Sequence, residues 1–401
     1  MRPIRYILKV TSLLLGIVLL ADCENDDALP DSPLTGEVTV FTLGGIDNSG
    51  ISGTASFAKR EDNATVITVN LSGTETGNSH PTHIHFNSAA EGGDIALSLS
   101  PVDGESGQSR TLVNALDNGT TIGYDELINF DGHINMHNSA NDLTSILAQG
   151  DMGQNVLTGN SMTYDLNPVS NPDIMGSVTF AERINGETLI SVNLLNDNSA
   201  TQRPGHIHMN TAAEGGEIAV RLNPTVGGKG MTNVAMLEDG NVITYSQLIA
   251  FDGYINIHAS ISNISTFVAQ GDIGQNALTG EMKSYTLTEK DVDGVNGTFT
   301  LYERMNGETL AIIALEGTTA GAMHPGHIHQ NAAAEGGNIL LTLNPVNGET
   351  GLSMSSISTL DNGMAISYAN ILNIDAHINI HKSANDLNSL VAQGDIGTNV
   401  D

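Results

Sequence analysis

One pattern is written three times along this chain, and that repetition constrains the fold more than any other feature. His83-Ile84-His85 returns as His206-Ile207-His208 and as His327-Ile328-His329. Ala-Ala-Glu-Gly-Gly follows each time, at 89–93, 212–216 and 333–337. An alternating apolar run comes next, starting at Ile95, Ile218 and Ile339, then Pro101, Pro224 and Pro345. Each copy closes on Ala-Gln-Gly-Asp, at 148–151, 269–272 and 392–395. Corresponding positions lie 121 to 123 residues apart. Units of this length are complete small domains on a string, not solenoid modules that need neighbours to fold. The expected domains are 37–159, 160–280 and 281–401.

Inside each unit the hydrophobic period is two, which is the signature of strands with one buried face. Val38 to Leu43, Gly53 to Ala58 and Thr65 to Leu71 all alternate and end in turn residues. Asn185-Gly186 and Asn306-Gly307 sit between such runs, as a tight hairpin requires. Tyr124 to Ile128 predicts one helical turn, repeated from Tyr245 and Tyr368. Seven or eight strands in about 120 residues describe an all-β unit, a Greek-key sandwich or barrel. The chain has 44 glycines and no tryptophan, so cores must come from Ile, Val, Leu, Met and Ala, with turns everywhere.

The start of the chain reads as an address. Arg2, Arg5 and Lys9 precede an apolar stretch from Val10 to Ala21, too short to span a bilayer comfortably. Residues 1–22 are therefore expected to be a signal peptide. Leu20-Ala21-Asp22-Cys23 resembles a bacterial lipobox, and Cys23 is the only cysteine. Its lipidation would anchor the chain in the outer membrane, with residues 23–36 as an acidic tether. The Glu24-Asn25-Asp26-Asp27 run is either a surface-export signal or a solvated linker.

Charge narrows the partners. Lys and Arg total 14 against 45 Asp and Glu, a net charge of -31. Cleavage before Cys23 removes three positive charges and one negative, which takes it to -33. Such a polyanion repels phosphate backbones, which excludes nucleic acid. At 39% hydrophobic and 15% charged residues the chain is too apolar for global disorder.

All 13 histidines fall in two places per repeat. The first copy has His80, His83, His85, His133 and His137, and the third has His324, His327, His329, His377 and His381. The second keeps His206, His208 and His258 as a degenerate patch, with Arg203 and Tyr254 in the other two places. Residues i and i+2 of a strand share a face, so His83 and His85 point one way and Ile84 the other. If the strand carrying His133 and His137 lies alongside, three to five imidazoles converge. Imidazole clusters of that spacing suit copper or zinc. The competing reading is a hydrogen-bonded network of His and Asn that fixes a corner of the fold. Glu91, Glu214 and Glu335 either support a histidine or shape a turn, and Asp131, Asp252 and Asp375 have the same two readings.

With His-Ile-His, the Gly-Gly turn, the alternating strand and the closing Ile134-Asn135-Met136-His137, each unit resembles a CHRD domain, the module named after chordin. The closing motif recurs at 255–258 and 378–381, and the likeness covers residues 37–401. The resemblance implies an immunoglobulin-like or superoxide-dismutase-like β-barrel. On this sequence the first expectation is a non-enzymatic, lipid-anchored cell-envelope protein, a binding or structural module for an unknown protein or glycan ligand. The alternative is copper or zinc binding through the histidine patches, and after it a dismutase-like metalloenzyme. Only the last needs an anionic substrate steered by positive charge, which this composition opposes.

Overall fold

The computed structural model describes residues 32–400. The expected signal peptide, Cys23 and most of the expected tether lie outside the described residues. Each repeat is an eight-stranded antiparallel barrel with one short helix. In the first barrel the strands are β1 (Leu34–Gly45), β2 (Ser52–Arg60), β3 (Thr65–Ser72) and β4 (Ser79–Phe86). They continue as β5 (Ile95–Asp103), β6 (Gln108–Val113), β7 (Asp131–Ser139) and β8 (Asp142–Gly153). The spatial order is β1-β2-β3-β6-β5-β4-β7-β8, and the cylinder closes where Gly44 and Gly45 meet Gln149 and Ala148. The run β3-β6-β5-β4 is a Greek key, because the chain crosses the barrel end after β3 and returns by hairpins.

The middle and last barrels repeat this order from Leu157 to Gly274 and from Leu278 to Gly397. The expected boundary at 159/160 falls inside the first strand of the second barrel, Leu157–Pro168. Gly159 sits there at φ +92°, a conformation open to glycine but costly to other residues, where the strand shifts register against its neighbour. One seam varies. β5 and β6 share the pair Asp103 and Gln108, and the third barrel has Asn347 and Leu352. In the middle barrel a tight Gly227-Gly228 turn replaces the longer loop, leaving a single bridge from Val226 to Lys229.

The period-two pattern explains the core. Phe57, Ile67, Ile84, Ile134 and Met136 face inward with no exposed surface, and Phe180 and Phe299 repeat Phe57. The helical turns form where expected, at Tyr124–Leu127, Tyr245–Leu248 and Tyr368–Ile371. Thr244 with Gln247, and Ser367 with Asn370, make the capping boxes that start the latter two. The Asn-Gly pairs turn the expected hairpins, with Gly186 and Gly307 at positive φ.

Candidate metal centres

The barrel wall places the histidines. β4 lies between β5 and β7, so its outward side chains stand beside those of β7. Ile84 is sealed inside while His83 and His85 are half-buried on the outer face. A register shift between β7 and β8 at Met136/His137 lets the buried His137 complete the group. The result is His83, His85 and His137, repeated as His206, His208 and His258 and as His327, His329 and His381. In each group one nitrogen from each ring lies within 4.8 Å of the others.

Hydrogen bonds outside the group fix which nitrogen faces in. His85 Nδ1 donates to the Gly93 carbonyl at 2.9 Å, His208 to Gly216 at 2.9 Å and His329 to Gly337 at 3.0 Å. A carbonyl only accepts, so the proton sits on Nδ1 and the Nε2 lone pair is left for the cluster. All three of those Nε2 atoms are buried with no hydrogen-bond partner. The third histidine is set the same way: His258 Nδ1 donates to Ile264 at 2.5 Å and His381 Nδ1 to Leu387 at 2.7 Å. His137 looks toward the corresponding Leu143 carbonyl outside hydrogen-bonding geometry, and neither of its nitrogens has a partner. The first histidine contributes Nδ1, which in the second and third barrels lies 2.9 Å from Nε2 of the third histidine.

The electrostatics favour neutral rings. Burial, then the nearby imidazoles, lowers the pKa of His83 and His327. His206 is pushed down to about 4, by burial first, then by His258 and Arg221. Burial likewise lowers His137, His258 and His381. Neutral rings whose nitrogens converge suit a late first-row cation, which would replace the His206–His258 and His327–His381 hydrogen bonds, and the group contains no thiolate or carboxylate.

The other candidate histidines do different work. His80 and His324 are buried on the inner side of their strand, with Nδ1 on the His137 and His381 carbonyls. His133 stacks on His85 at 5.1 Å and His377 on His329 at 5.3 Å, with Nδ1 donating to the Asn87 and Asn331 carbonyls. Tyr254 takes that place in the middle barrel and stacks on His208 at 5.0 Å. Three imidazoles per barrel therefore converge rather than five, and the middle barrel has a full set. Arg203 is held in a pair with Asp197, and the cation that acts on the middle group is Arg221, which stands opposite His206 in the ladder.

Glu91 and Glu214 shape their turns, accepting from Ser88 Oγ at 2.5 Å and Thr211 Oγ1 at 2.8 Å. Asp131, Asp252 and Asp375 accept from Asn155, Asn276 and Asn399 and touch no imidazole. Sequence reasoning missed another carboxylate. Asp117, Glu238 and Asp361 each act on the first histidine of their group and oppose the lowering of its pKa. Their signal was a recurring Leu-Asp/Glu-Asn/Asp-Gly at 116–119, 237–240 and 360–363.

Fold and site together define a chain of three tandem Greek-key barrels, each with an outward-facing group of three histidines. No family model matches the chain, and neither the curated proteins nor the solved structures offer a match to it.

Proposed function

We propose that this is a non-enzymatic metal-binding protein of the cell envelope: three CHRD-type barrels, lipid-anchored at Cys23, each binding one copper or zinc ion. One observation carries the reading. The same three positions in every barrel bring ring nitrogens to a common point, and the second histidine of each group, with His258 and His381, is turned there by an Nδ1 bond to a backbone carbonyl. A purely hydrogen-bonded scaffold would pair every one of those nitrogens. The first and third histidines do bond each other in the second and third barrels, but the Nε2 atoms of His85, His208 and His329 are left without partners at the centre. Three neutral ligands on a half-buried surface leave a bound ion one solvent-facing position, open to a ligand from outside.

The test is metal content by mass spectrometry after separate copper and zinc loading and desalting. Three ions per chain are expected, one for each group. His137→Ala should remove one of them. A folded chain that retains neither metal refutes the proposal and returns the histidines to the barrel scaffold.

A further inference from the structure

The carbonyls that orient the second histidine belong to the Ala-Ala-Glu-Gly-Gly loop, and that loop is gripped by the next barrel. In the first barrel, Ala89 N donates to Asp151 Oδ1 at 2.7 Å. Asp151 Oδ2 accepts at 2.7 Å from Arg183, whose side chain is fully buried and belongs to the second barrel. Arg183 also donates to the Asn155 carbonyl and, at 2.7 Å, to Asn233. A second contact reaches the same loop, where Asn223 Nδ2 of the second barrel donates to the Ala90 carbonyl at 3.2 Å. Three residues on, Gly93 holds His85.

The next joint repeats the contacts to the carboxylate and the loop, without a counterpart of the Asn233 bond among the described residues. Ala212 N donates to Asp272 Oδ1 at 2.8 Å, and Arg304 of the third barrel reaches Asp272 Oδ2 at 2.6 Å. Asn344 approaches the Ala213 carbonyl at 3.4 Å, and Gly216 holds His208. The third barrel has the same loop and the Ala333 to Asp395 bond at 2.6 Å, yet among the described residues no cation pairs with Asp395. The two joint arginines are thus placed to fix a loop, and through it a ligand ring, in a barrel other than their own.

We propose that the first and second metal centres are completed from outside, with Arg183 and Arg304 of the following barrel as positioning residues for His85 and His208. The proposal rests on the metal-binding reading above. It makes the tandem arrangement part of the site and predicts that the centres are unequal. Those at joints are preorganised by a neighbour, while the third is held by its own barrel alone.

The experiment uses the full chain in two backgrounds. His208→Ala with His329→Ala leaves the first centre, and His85→Ala with His208→Ala leaves the third. Arg183→Met is added to each, and zinc affinity is measured by competition with a chelator. Loss of an outer-shell partner typically weakens metal binding about 10- to 100-fold. That loss is expected at the first centre and no change at the third. In parallel, nitrogen NMR of the metal-free chain reads the His85 tautomer, which should be fixed with its proton on Nδ1 in the parent and mixed in Arg183→Met. A folded variant with the parent affinity and the parent tautomer overturns the proposal. If Arg183→Met does not fold, Asp151→Asn, which keeps the shape but removes the charge that Arg183 grips, is read the same two ways, and no change in either overturns it. Zinc binding by neither background would refute the metal reading itself. The tautomer comparison then still decides whether the following barrel sets the ring.

Discussion

Arg203 is where the middle repeat departs most from its neighbours, and removing it gives a sharp test of how the barrel tolerates charge. Its guanidinium donates to Asp197 Oδ2 at 2.7 Å and Oδ1 at 3.0 Å, and to the Ala259 carbonyl at 2.5 Å. The Asp197 side chain is only 2% exposed, and the hydrogen bond from Arg203 is the first cause of its lowered pKa. Arg203→Ala leaves that carboxylate with the Ser199 hydroxyl as its one remaining side-chain partner. Breaking a buried pair from one side costs about 3–5 kcal/mol, because the surviving charge stays desolvated. Replacing both partners costs far less. The first and third repeats show the alternative, with Thr74 and Thr318 at the Asp197 position and His80 and His324 at that of Arg203. Asp197→Thr combined with Arg203→His should therefore lie within about 1 kcal/mol of the parent, the near-neutral exchange expected of a whole ion pair. Hydrogen exchange by mass spectrometry, read on peptides of the middle barrel, separates its opening from that of its neighbours. The single variant's deficit should shrink as pH falls below the ordinary carboxylate value toward the lowered one of the folded parent, since the parent pair loses its advantage only over that interval. A single variant within 1 kcal/mol of the parent, or a double variant as damaged as the single, would refute the reasoning.

Acid should destabilise the metal-free middle barrel. His206 titrates near 6.5 when unfolded and at about 4 when folded, so the unfolded chain binds more protons between those values and stability falls with pH across that window. The fall is about 3 kcal/mol at full weight, and solvent screening of a half-buried ring reduces it to about 1–2; urea midpoints of the parent and of His206→Gln, less steep with pH in the variant, check it. Phe180→Ala empties a fully buried position and should cost about 3–5 kcal/mol, measured by thermal unfolding. Gly176→Ala would drive a methyl into the Asn193 carbonyl across the sheet, as Gly53→Ala and Gly297→Ala would at Asn70 and Ala314. Each should cost about 1–3 kcal/mol, and a neutral result would show that the strands part easily there.

Much of this was legible in the chain itself. Three copies at a fixed spacing divide it into units, and period-two alternation marks the strands. Strand parity then sets His83 and His85 on one side with Ile84 on the other, as the barrel has them. Closure was not legible, because alternation is equally consistent with a sandwich and only the β1–β8 pairing decides. Parity also sets His80, three residues from His83, on the inner face with Ile84. What spacing did not reveal is that His133 would stack on His85 while His137 joins the group. Counting lost histidines made the middle group look damaged, yet both losses fall outside the group of three. The joint arginines recur in Glu-Arg-x-Asn-Gly at 182–186 and 303–307, but that pattern signals a hairpin and not a contact with another domain. Arg183 and Arg304 read as ordinary strand ends, and their acceptors lie 32 residues upstream in another domain.

The closed wall has a further consequence for a chain built of near-copies. Adjacent domains with similar strands are prone to trade them during folding, since a strand of one unit is a chemically acceptable partner for its counterpart's neighbour. A completed cylinder withdraws every main-chain edge from that trade. The seam between the fifth and sixth strands is the thinnest part of the wall in every unit, with one ladder pair in each outer barrel and one bridge at Val226 and Lys229 in the middle. Short turns join the flanking strands there, two glycines in the middle unit, so each strand has its partner within a few residues of chain. At that seam closeness along the chain, more than the number of main-chain bonds, keeps the two strands matched.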